Sequence, residues 1–141
     1  MNTLISEYCT GKTAVARWLT IYIEEAHAED EWRLPESRVE QDLKKNGDAP
    51  IAMHQDLDER LNAARLFVER KRIRSDVVVD TMRGEVLDAY QAWPERLYII
   101  LDGVVVYKGG VGPFHFDLDE VAQWLKFRTG NAPTPVPNKK K

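Results

Sequence analysis

Leu19-Thr20-Ile21-Tyr22-Ile23 runs apolar, β-branched and aromatic, then breaks at once into Glu24-Glu25-Ala26-His27. Such a run reads as a buried strand over 19–23, and the charged residues fall at its C-terminal end. In open α/β sheets that end faces the ligand crevice. Side chains alternate along a strand, which puts Glu25 and His27 on one face and Glu24 on the other. A carboxylate beside an imidazole favours its charged form and orients it, the arrangement that proton transfer uses. The same residues also suit a solvated loop with a plain ion pair.

Upstream, residues 3–18 read as a weak helix. Leu4, Ile5 and Tyr8 form one apolar cluster, Ala14, Val15 and Trp18 another, and Gly11 breaks the run between them. Downstream, residues 28–53 are polar and carry Pro35, Gly47 and Pro50, which predicts a long loop with a short helix near 38–45. Asp56 and Glu59 then fit a capping box. Leu57, Leu61, Ala64 and Val68 make one apolar stripe of the helix that follows, and Lys71, Arg72 and Arg74 close it. Val77–Val79 is the next strand, 85–92 a short helix, and 97–101 a strand joined to 104–108 through the turn Asp102-Gly103. Asp117 and Glu120 suggest a second capping box, for a last helix burying Leu118, Val121 and Leu125. Strands separated by helices predict an α/β fold with parallel strands near 19–23 and 77–79, plus an antiparallel C-terminal hairpin. A helix, an X-Pro step at Trp93-Pro94, a hairpin and a final helix is also how thioredoxin-like folds end. Residues 1–129 are expected to be one domain, and the Pro/Lys-rich stretch 130–141 a disordered tail.

The 141 residues carry a net charge of −3, with 43% apolar and 30% charged residues. That is globular, and its sign favours neither nucleic acid nor an anionic membrane. No apolar run is long enough to span a bilayer, and Met1–Glu7 has neither the basic nor the apolar region of a signal peptide. No membrane anchor is therefore expected, and a cytoplasmic location is. The single cysteine, Cys9, excludes an internal disulfide and a Cys-based zinc site.

Four further features invite chemistry. His54 lies just before a helix N-terminus, a position that favours neutral imidazole, although a polar neighbour of the cap reads equally plainly. Glu25, His27 and His54 have no metal-ligand spacing, and no metal or bound cofactor is expected. Cys9-Thr10-Gly11-Lys12-Thr13 lacks the earlier glycine and the preceding strand of a phosphate loop, and Cys9 reads as a half-buried inert thiol. Glu95 follows Pro94, held near the crevice or simply paired with Arg96. Gly109-Gly110-Val111-Gly112-Pro113 reads as a turn.

Taken together, Ile21–His27, Asp30, Trp32, His54-Gln55, Arg60 and Ala63-Ala64 resemble the iodothyronine deiodinase family. So do Val77–Met82, Pro94–Ile99, Tyr107–Gly110 and Gly112-Pro113, so that the resemblance runs from about Leu4 to Leu125. It implies a thioredoxin-like fold with a peroxiredoxin-type layout. It also implies reductive removal of iodine from iodinated phenols by a selenocysteine or cysteine nucleophile, with a thiol reductant as co-substrate. Glu25 and His27 would line the active site and relay protons, His54 would meet the phenolic end of the substrate, and Glu95 would be a supporting carboxylate. A homodimer is a further possibility.

The family's nucleophile follows a strand upstream of the helix that holds Leu4 and Ile5, and this sequence starts inside that helix. The central first strand and the nucleophile are thus missing from it, and Cys9 matches no catalytic position. The expectation is a gene start displaced by a selenocysteine codon, with coding DNA upstream of Met1. The alternative is a non-catalytic thioredoxin-like binding module that dimerises.

Overall fold

The computed structural model describes residues 1–12, 14–46 and 50–130, with Asp42, Leu43 and Asn46 described by their backbone alone. The expected tail from residue 131 onward and the loop glycine Gly47 lie outside the described residues. The elements run α1 (Asn2–Tyr8), β1 (Leu19–Tyr22), α2 (Glu36–Asn46), α3 (Leu57–Lys71), β2 (Asp76–Val79), α4 (Glu85–Tyr90), β3 (Tyr98–Leu101), β4 (Val104–Lys108) and α5 (Leu118–Arg128). The fold is mixed α/β. The chain divides into two compact units, one of residues 19–94 and one of residues 1–18 with 95–141.

In the unit of residues 19–94, β1 and β2 pair in parallel from Leu19↔Asp76 to Tyr22↔Val79. The ladder continues one step as the Asp80 N–H donates to Tyr22 O at 2.8 Å. The long connection includes α2, which is wider than the short helix expected. It closes at its base: Glu29 N–H donates to Ile51 O at 2.9 Å, and Met53 N–H to Asp30 Oδ1 at 2.7 Å.

Helix α3 is capped by Asp56, whose carboxylate accepts from Glu59 N–H at 2.9 Å. Glu59 returns to Gln55 N–H at 2.7 Å, one residue before the position a capping box uses. Of the expected apolar stripe, Ala64 is buried and Leu61 and Val68 are half-buried. Leu57 is exposed, and the buried residues are Arg60, Ala63 and Ala64. The two alanines allow the close approach of α3 to β2. Arg60 is tolerated in the interior because its Nη1 donates to Thr81 O at 2.7 Å and, at 3.4 Å, to Asp80 O.

Asp80 is 2% exposed. Its Oδ1 accepts from Thr81 N–H at 2.8 Å and Val86 N–H at 3.0 Å, and its Oδ2 from Leu87 N–H at 2.9 Å. The residue at the N-cap of α4 is Gly84, in the left-handed conformation with φ 68°, and it has no side chain to offer. Asp80 satisfies the first N–H groups of α4 in its place.

In the other unit, β3 and β4 pair antiparallel around Asp102 (φ 52°) and Gly103 (φ 79°), the positive dihedrals of a tight hairpin turn. Register slips between Ile99↔Tyr107 and Ile100↔Val105, leaving Val106 as a bulge. Each sheet has two strands, and no further strand extends either among the described residues.

The expected helix of residues 3–18 ends at Tyr8. Gly11 takes φ 77°, and Tyr8 O then accepts from both Val15 and Ala16 N–H, so that the chain doubles back. Trp18 reaches the core without being helical: Tyr8, Val121 and Leu125 pack there with Leu4, Cys9, Ala16, Trp18, Leu97, Ile99, Tyr107 and Trp124. Asp117 caps α5 through Asp119 and Glu120 N–H. The Glu120 carboxylate does not return to the cap, because it accepts from the Tyr107 hydroxyl at 2.6 Å.

Asp80→Ala removes a buried charged acceptor and strands three backbone donors. It is expected to lower unfolding stability by about 3 kcal/mol. Urea denaturation followed by circular dichroism reads this directly; a loss below about 1 kcal/mol would contradict the capping role.

Candidate active site

Tyr22, the last residue of β1, packs beside two rings. His54 is 5.9 Å away, centroid to centroid, and Phe67 of α3 is 5.7 Å away. Its hydroxyl donates to the Glu25 carboxylate, which the chain brings back beside it three residues beyond. Burial, followed by the Glu25 hydrogen bond and charge, raises the phenol far above its ordinary range, and Arg60 opposes this weakly. Tyr22 is thus a fixed neutral donor that holds Glu25 in place.

His54 is 6% exposed, and neither ring nitrogen has a hydrogen-bond partner among the described residues. Burial pushes its pKa down. Glu25 and Glu59 pull the other way, and Arg60 reinforces the burial. Helix position alone suggested a neutral ring; in the structure burial is the leading cause. An imidazole buried without partners leaves one donor and one acceptor for a ligand, and such groups are rare enough to mark a site.

His27 stands at the other end of the closed connection. Its Nδ1 lies 3.1 Å from Trp32 O. A carbonyl only accepts, so this bond puts a proton on Nδ1, and in a neutral ring the lone pair falls on Nε2. Its ring is 4.8 Å from Trp32, which in turn stacks on Trp93 at 5.7 Å and 15°. Trp32 is nonetheless 63% exposed.

The structure therefore groups Glu25 with Tyr22 and His54, while a backbone carbonyl and an aromatic stack orient His27. No hydrogen bond or ion pair joins Glu25 to His27 among the described residues, so the carboxylate–imidazole pair suggested by alternation is not formed. Alternation along the strand missed Tyr22 and Trp93. A tyrosine three residues before a glutamate at a strand end was the available signal for the first.

Glu95 belongs to the other unit. Its backbone O accepts from Gly112 N–H at 3.0 Å. Arg96 Nε donates to Gly109 O at 2.8 Å, pinning the glycine-rich turn to residues 95–97. A Cβ on Gly112 would overlap the Glu95 side chain, lying 2.6 Å from its Cγ. Cys9, at the end of α1, has its thiol pKa raised by burial. Among the described residues no three His, Cys, Asp or Glu side chains cluster as for a metal. No helix there is long and apolar enough to cross a membrane.

The pH dependence of stability follows from His54. Its folded pKa lies below the unfolded value near ~6.5, so between the two the unfolded chain binds more protons. The contribution is fully present above the unfolded pKa and is lost as pH falls toward the folded one. Urea midpoints are expected to drop on acidification below about pH 6.5, and His54→Gln should flatten that slope; an unchanged slope would rule His54 out as its source. Gly112→Ala is expected to displace the Glu95 carboxylate at a cost of about 1–3 kcal/mol. A crystal structure of the variant with Glu95 unmoved would refute this.

A sequence model described as "Iodothyronine deiodinase" matches residues 1–128. The type I iodothyronine deiodinase of Xenopus laevis is 38% identical over 125 residues, covering 89% of this chain and 43% of the relative. The thyroxine 5-deiodinase of Sparus aurata is 38% identical over 138 residues, 94% of this chain and 45% of the relative. That of Aquarana catesbeiana is 42% identical over 110 residues, 78% and 37%. The chain spans less than half the length of these relatives. With the family match running through β1, α3, β2, the hairpin and α5, the chain belongs to the iodothyronine deiodinase family.

Proposed function

We propose that this chain is part of a thioredoxin-like reductive deiodinase acting on iodinated phenols, with a thiol as reductant. The observation that carries the reading is the buried, unpartnered His54 beside the Tyr22–Glu25 hydrogen bond, within the region matched to the family. His54 offers its ring to the phenolic oxygen of the substrate. Glu25, held by Tyr22, and His27, with its Nε2 lone pair, carry protons. Glu95 is the supporting carboxylate by resemblance.

In the reaction a soft anionic nucleophile takes iodine from the ring carbon. The bonding pair stays on that carbon, which accepts a proton. Two thiols then reduce the nucleophile–iodine bond. One displaces iodide, the second releases a disulfide, and each loses a proton. The sum is aryl iodide plus two thiols giving arene, disulfide, iodide and one proton. Removal of iodine needs a polarisable, ionised atom. Cys9 does not fit, because burial raises its pKa. We therefore assign the nucleophile to a selenocysteine or cysteine outside these 141 residues, which span less than half the length of the relatives. A cytoplasmic location would keep the reductant available. A second reading, a non-catalytic binding module that dimerises, draws support from that same Cys9 and from the exposed Ile100, Val104 and Val105 of the hairpin.

Protein expressed from the whole locus, given a dithiol, is expected to release iodide from an iodinated phenol. His27→Ala should lower kcat/KM about 100-fold or more. Unchanged iodide release in the variant removes His27 from the reaction. No release by the parent protein favours the binding module.

A further inference from the structure

His54 stands just before α3, in residues 51–56, where no helix or strand sets its place. Its ring makes no hydrogen bond among the described residues. The main chain on either side of it is held by side chains instead. Asp30 Oδ1 accepts from Met53 N–H at 2.7 Å, Gln55 Nε2 donates to Met53 O at 3.1 Å, and Glu59 Oε2 accepts from Gln55 N–H at 2.7 Å. Gln55 and Glu59 lie close by in sequence. Asp30 reaches across 23 positions, from a turn in which Glu31 N–H donates to Ala28 O at 3.2 Å and His27 Nδ1 meets Trp32 O at 3.1 Å. An exposed aspartate in a turn ordinarily bonds main chain a residue or two further on. Closing the connection does not require the longer reach, because Glu29 N–H already donates to Ile51 O.

We propose that Asp30 is a positioning residue for His54: it accepts from the Met53 N–H, fixes the peptide next to the imidazole, and so places the ring from its main chain while both ring nitrogens stay available to a ligand. A hydrogen bond on the ring itself would fix it too, but would consume the donor or the acceptor that a phenolic oxygen uses. The acceptor is a carboxylate, which makes the bond one of the stronger, charge-assisted kind. It also sets the turn that orients His27 and the segment that carries His54 on the two sides of a single bond. The bearing on substrate rests on the deiodinase reading above; the placement of His54 does not.

The test is acylation of the full protein by diethyl pyrocarbonate, which attacks accessible neutral imidazoles, at a pH of about 7.5. Mass spectrometry reads the rate at each of the three histidines. In the parent, buried His54 should react slowly and exposed His115, which lies in the other unit, fast. Asp30→Ala is expected to speed acylation of His54 about tenfold, the share of a charged hydrogen bond in holding a segment closed, and to leave His115 unchanged. Asp30→Asn keeps a side-chain oxygen and should hold His54 within about threefold of the parent. A parent-like His54 rate in Asp30→Ala overturns the proposal. So does an Asn variant as fast as Ala, which would make the charge and not the bond responsible, and so does a His115 that speeds up along with His54, which would mean general loosening. If Asp30→Ala does not fold, Asp30→Ser, whose hydroxyl ends one bond short of Met53, is judged by the same criteria. Loss of fold in both also overturns it, by making Asp30 a requirement of the fold alone. Where iodide release is measurable, Asp30→Ala should raise KM for an iodinated phenol about tenfold, with Asn restoring it. A parent-like KM beside a faster His54 would remove His54 from substrate binding and leave its placement standing. Because acylation needs no turnover, absence of iodide release would count against the deiodinase reading alone.

Discussion

Asp80 is buried at the exit of β2, and the unit of residues 19–94 is organised around it. Its amide extends the ladder to Tyr22, its carboxylate caps α4, and its carbonyl receives Arg60 from α3. One residue thereby joins the strand that carries the site, the strand beside it and two helices. A parallel pair of four-residue strands makes few ladder bonds of its own. The fixed geometry must come from such side-chain ties, each of which is strong because the acceptor is charged or the donor is.

The site follows from that geometry. Tyr22 ends β1 with its ring beside those of His54 and Phe67 and its hydroxyl on Glu25, so packing and hydrogen bonding together orient the phenol. A phenol held neutral makes a hydrogen bond that persists across the physiological pH range. The two histidines are oriented by different means, His27 by a carbonyl and a tryptophan stack, His54 by burial. One keeps an exposed side for exchange with water. The other has lost its water by burial beside the Tyr22 ring, and it gains most from a ligand that replaces the lost hydrogen bonds.

Much of this was legible in the sequence. The LTIY run, the Asp56 cap and the Asp102-Gly103 turn were readable because each rests on local chemistry that a few residues determine. The stripe on α3 fails only at Leu57; periodicity counts apolar residues and so misses the buried Arg60, whose partners lie 20 and 21 positions away. The helix of residues 3–18 was overextended for the opposite reason. Trp18 and Ala16 belong to the core, but they reach it by a chain reversal at Gly11, which apolar patterning alone does not reveal. Glu25 and His27 are singled out by their place at the strand end. Their partners are not, because alternation assigns a face and says nothing of a carbonyl five residues on.

The two bonds at the base of the connection between β1 and α3 separate its length from its function. Glu29 with Ile51 and Asp30 with Met53 act as a clasp, and just inside it Trp32 still orients His27. Residues added beyond Trp32 within the clasp cost mainly closed-loop entropy, about 0.6 kcal/mol for each doubling of the loop's length. The positions of His27 and His54 on either side stay as they are. This connection is therefore the natural place for the protein to accept foreign sequence, an epitope, a reporter or a binding peptide, while its chemistry is left undisturbed.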